Sequence, residues 1–116
     1  MTEAANTDSV SVSDRALATT IGLAAHEVPG VIGMVPVSLT EGIRRVLGVQ
    51  QVDEGVIIER DGDEHPAVHV HVVVAYGVNI PVVADAVRER ITYAAKELAG
   101  VELGSVTVHV AGVSRV

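Results

Sequence analysis

The sequence contains no cysteine, tryptophan or phenylalanine, and Tyr76 and Tyr93 are its two tyrosines. Without cysteine there can be no disulfide framework, no thiolate metal site and no cysteine nucleophile, which is in keeping with a reducing compartment. With so few rings, the core has to be built from Val, Ile, Leu and Ala. Basic residues are also scarce: 8 Lys and Arg stand against 15 Asp and Glu, a formal net charge of -7. Such a surface repels phosphate backbones and anionic lipid, which disfavours nucleic-acid binding and direct membrane docking. No apolar run reaches the roughly 18 residues of a membrane span. The stretch from Met1 to Asp14 lacks the basic and apolar segments of a signal peptide, so the chain is expected to be cytoplasmic.

What is present is the alternation of one small domain. Residues 1–12 are small, polar and acidic and are expected to form a disordered tail, leaving 13–116 as a single domain. Ser13 is placed to cap a helix, with Asp14 favourable in its first turn. Leu17, Ile21, Ala24 and Val28 then recur at helical spacing, and Pro29-Gly30 ends the helix. Val31 to Val37 reads as a short bridging strand, and Thr40 to Leu47 as a short helix closed by Gly48.

Gly55–Arg60 and Ala67–Tyr76 read as a hairpin around the turn Asp61-Gly62-Asp63-Glu64. In the second strand Val68, Val70, Val72, Val74 and Tyr76 alternate with His69, His71, Val73 and Ala75, so the two sets take opposite faces. Gly77 turns the chain, Asn79 caps the next helix and Pro81 sits in its first turn. Its apolar stripe is read as Ile80, Ala84, Val87, Ile91, Ala94 and Leu98, with Gly100 at its end. Ser105 to Ala111 is the last strand. Because a helix crosses over before it, it should run parallel to the strand ending at Tyr76. The sum is an α+β fold, a two-layer αββαβ sandwich with a small mixed three-stranded sheet and both main helices on one face.

The catalytic inventory is empty. Carboxylate pairs occur only at Asp53-Glu54 and in the Asp61–Glu64 turn, both in solvated settings, and there is no nucleophile elbow, Walker loop or dinucleotide fingerprint. No cofactor is expected. The sharpest local signal is histidine. His69 and His71 point the same way about 7 Å apart along one strand, and His109 lies on the polar face of the last strand. If those strands are neighbours, three imidazoles share one face, enough for a zinc-type ion. A metal-binding module using His69, His71 and His109 is therefore one alternative function. Another is a KH-like RNA-binding domain, because Gly30-Val31-Ile32-Gly33 is a GxxG segment between predicted helices. Its Val and Ile, and the acidic surface, argue against that reading.

Several segments, in order, resemble the alkaline shock protein (Gls-type envelope stress response) family of bacteria. They are Ile21–Val31 with its Glu27-Val28-Pro29-Gly30-Val31 turn, Gly55–Ile58, Val72–Ala84 with Tyr76-Gly77-Val78-Asn79-Ile80-Pro81, and Val106–Val113. The resemblance spans roughly Ser13 to Val113. It implies a cytoplasmic, non-enzymatic protein of envelope homeostasis, gathered at the inner face of the membrane by a membrane-anchored protein partner. On this reading the chain is a scaffold acting through protein–protein contacts, with His69, His71, Val73, Ala75 and His109 as candidate interface residues. The free strand edges offer a route to a homo-oligomer.

Overall fold

The structure, a computed structural model, describes residues 9–36, 49–53, 55–60 and 65–115. The predicted helix at 40–47, the Asp61–Glu64 turn and most of the N-terminal tail lie outside them. The elements run α1 (Asp14–His26), β1 (Val31–Met34), β2 (Val49–Asp53), β3 (Val56–Glu59), β4 (Ala67–Ala75), α2 (Ile80–Ala99) and β5 (Ser105–Ser114).

Both helices begin as their caps require. The Ser13 hydroxyl accepts from the Ala16 amide at 3.0 Å, and Asn79 Oδ1 accepts from the Val82 amide at 3.1 Å. Each satisfies an amide that has no partner within its helix. Gly100 ends α2 with φ +71°, the left-handed conformation that glycine adopts without steric cost. Ser13→Ala should lower stability by about 1 kcal/mol, roughly 4 °C in a thermal melt, without changing the circular dichroism of the folded state.

β4 is the centre of the sheet. Along one edge it pairs antiparallel with β3 through Ala67–Val70 and with β1 through Val72–Val74. Along the other it pairs parallel with β5 over its whole length. β2 adds to β3 on the far side. The sheet thus has five strands, not the three expected. The hairpin, the parallel crossover and the two-layer α+β arrangement are as expected; the additions are β1, expected only as a bridging stretch, and β2, a five-residue strand with the sequence VQQVD. The GxxG segment is not a loop between helices. Val31 and Gly33 are strand residues of β1 facing Val74 and Val73, so the backbone a KH loop would offer to RNA is engaged in sheet pairing.

One face of the sheet carries the core. Val68, Val70, Val72 and Val74 are fully buried, joined by Val56 and Ile58 of β3. Leu17, Ile21, Ala25 and Val28 pack on them from the N-terminal helix region, and Val83, Val87, Ile91 and Ala95 from α2. The expected α2 stripe needs correction. Val83 and Ala95 are buried, whereas Ile80 and Leu98 are exposed. The buried stripe follows Val83, Val87, Ile91, Ala94 and Ala95, and the apolar residues of the end turns, Ile80 and Leu98, are left uncovered.

Asp14, in the first turn of α1, takes a two-pronged contact from Arg60 at the end of β3, with Nη2 to Oδ1 at 2.7 Å and Nε to both oxygens at 3.2 Å. Arg90 on α2 pairs with Glu27 at the C-cap of α1. These pairs tie helix to sheet and helix to helix at the rim, where each is worth at most about 1 kcal/mol.

Candidate functional site

Alternation in β4 decides what the other sheet face carries. With the valines turned inward, His69, His71, Val73 and Ala75 turn outward, and all four are half-buried. The parallel register sets His71 beside His109 and His69 beside Thr107. That register is what brings the three predicted histidines together.

Their side chains form a stack. The His71 and His109 rings lie 4.5 Å apart, centre to centre, and 9° from parallel. The His69 and His109 rings lie 5.3 Å apart and 19° from parallel. His69 Nδ1 and His109 Nε2 are 3.0 Å apart, a hydrogen bond in which one nitrogen donates and the other accepts. His71 Nδ1 lies 3.4 Å from the Gly55 carbonyl oxygen. Glu59 of β3, not singled out from the sequence, places Oε1 3.4 Å from His69 Nε2. The hairpin pairing signals it: Ile57 faces His69, and Glu59, two residues on, shares that face.

Burial, with the neighbouring His71 and His69, holds the His109 imidazole below its ordinary value. The His109 ring thus resists taking up a proton where it stands. As the side chains stand, no group of three His, Asp or Glu residues among the described residues could hold a metal ion. Ligands to one tetrahedral ion aim their lone pairs at a common point, whereas His69 and His109 point ring nitrogens at each other and His71 lies over the His109 ring.

The remaining histidines stand apart from the stack. His65 Nδ1 lies 3.2 Å from the Glu102 carbonyl oxygen, just before β5, and His26 ends α1. On the helical side a shallow groove is lined by Thr20, Leu23, Ala24, Glu27 and Leu98, with Leu23 and Leu98 exposed. No polar or charged residue is buried among the described residues, so none of them is a desolvated carboxylate of the kind used for acid–base chemistry. No described helix is long and apolar enough to cross a membrane.

Known proteins share this chain's pattern over nearly its whole length. The model of the alkaline shock protein family, described as having a cell envelope-related function, matches residues 2–115. An uncharacterized protein of Bacillus subtilis (strain 168), YloU, is 26% identical over 107 residues, covering 90% of this chain and 87% of its own. An uncharacterized protein of Streptococcus pyogenes serotype M6, Spy1614, is 29% identical over 102 residues, covering 87% and 84%. A solved structure of a MamM CTD in a zinc form has a TM-score of 0.47 at 16% identity over 89% of this chain and 86% of that one, a likeness too distant to bear on function.

Proposed function

Because the chain belongs to the alkaline shock protein family, of cell envelope-related function, we propose that it serves the bacterial envelope stress response as a non-enzymatic binding protein. It acts in the cytoplasm through protein–protein contacts, and a membrane-anchored protein partner brings it to the inner face of the membrane.

One observation carries the mode of action. The helices cover one sheet face, and the opposite face of β4 and β5 is left half-exposed, with His69, His71, Val73, Ala75 and His109 in a continuous row of apolar and imidazole groups. A face of this composition can exclude water against a partner while its imidazoles supply hydrogen bonds.

The test is affinity capture from the native host, with mass spectrometry and with light scattering on the pure protein. His71→Glu combined with Val73→Glu should cut recovery of the principal partner by about tenfold or more, the loss expected when charges enter a desolvated interface. The fold, read by circular dichroism, should persist. If partners and oligomeric state are unchanged by the double substitution, the interface lies elsewhere.

A further inference from the structure

We propose that the His69–His109–His71 stack is a proton-operated latch that holds the edge strand β5 against β4 at neutral pH and releases it on acidification. The reading goes beyond partner binding, since it concerns what the stack does to the fold itself.

The hydrogen bond carries the argument. His69 Nδ1 and His109 Nε2, 3.0 Å apart, need one hydrogen between them. Two neutral rings provide it, and so does a pair sharing a single positive charge. When both rings are imidazolium, each nitrogen bears a hydrogen, the contact becomes N–H against H–N, and the bond is lost. His71, stacked 4.5 Å from His109, adds like-charge repulsion once it is protonated. Glu59 of β3 is the charged side chain at the stack among the described residues, and it meets His69 only. A single carboxylate at that end cannot offset three imidazolium charges. β1 presents no titratable group, and the helices lie on the other face of the sheet.

β5 is the element placed to respond. It is held in the sheet by β4 alone, and its residues are exposed or half-buried throughout. Two of the three rings stand on β4 and the third on β5, so repulsion within the stack acts directly across that pairing. Local opening of this kind draws on the least buried elements of a fold. The lowered affinity of His109 for protons gives the same direction. In the unfolded or opened chain His109 takes up a proton near the ordinary imidazole value of about 6.5, before it does so in the closed stack. The latch therefore contributes fully above that value. The contribution falls as the pH drops from there towards the lower value of His109 in the closed stack.

The experiment is hydrogen–deuterium exchange on the full chain at pH 7.5 and 5.5, corrected for intrinsic exchange rates. It is paired with a magnetic-resonance titration of the histidine rings, with a metal chelator present. Protection of Ser105–Ser114 relative to α1 should fall by about tenfold on acidification, a local rather than global opening, and the His109 ring should titrate below the ordinary imidazole value. His109→Gln, which stays neutral, should remove the pH dependence, whereas His65→Gln should leave it intact. Retention of the full pH dependence in His109→Gln, or loss of protection in α1 and β5 alike, overturns the latch. Neither readout uses a partner, so failure of the latch and failure of the interface are separate results.

Discussion

Val70→Asp should abolish the cooperative fold, whereas Val73→Asp, three residues along the same strand, should lower stability only slightly. Val70 is fully buried at the middle of β4, beneath both helices. A carboxylate there has no polar group to pair with, because no polar residue is buried among the described residues. The cost of placing an unpaired charge in such a core exceeds about 4 kcal/mol. A domain of this size holds of the order of 5–15 kcal/mol in total. Val73 belongs to the opposite set and is half-exposed, so its carboxylate keeps much of its water. Thermal melts of the two variants, measured side by side, decide the matter. Loss of a cooperative transition in both, or in neither, would mean that β4 does not separate a dry face from a wet one.

Gly55→Ala should cost about 2–3 kcal/mol, lowering the melting temperature by roughly 10 °C. Two independent causes act at this position. Gly55 has φ +91°, where a side chain is strained whatever space surrounds it. A Cβ there would also stand 2.7 Å from the Val35 carbonyl oxygen and 3.1 Å from that of His71. The backbone around it is itself engaged, since the Val35 amide donates to His71 O at 3.0 Å and the His71 amide donates to Gly55 O at 2.9 Å. The three residues meet where β1 and β3 succeed each other along one edge of β4. Alanine would push the two short strands apart, and its effect would reach His71, whose ring faces the same Gly55 carbonyl. A change of less than about 0.5 kcal/mol on denaturant unfolding, the range of ordinary surface substitutions, would show that this junction is not under the constraint described.

Much of the fold is legible in local chemistry. Ser13 and Asn79 cap their helices as expected, and period-two alternation in β4 separates valine from histidine. Both are short-range effects, governed by residues within one helical turn or one strand repeat. β2 escapes a reading of the sequence because Val49-Gln50-Gln51-Val52-Asp53 has little apolar content; its strand form follows from pairing with β3. The ends of the α2 stripe are illegible for a related reason. Ile80 and Leu98 fit the helical period, and periodicity does not say which turns the rest of the fold covers.

The candidate site divides along the same line. By itself the sequence determined that His69 and His71 share a face, that His109 stands on the polar face of the last strand, and that a crossover helix makes that strand parallel to β4. It also carried the resemblance that the family match establishes. Only the tertiary structure decided that β5 is β4's immediate neighbour, that the register sets His109 beside His71, that these two rings stack while His69 hydrogen-bonds His109, and that Glu59 joins them. The physical reason is that facing is a property of one strand's geometry. Adjacency and register depend on how a whole valine surface packs beneath two helices, an arrangement spread over residues far apart in the chain.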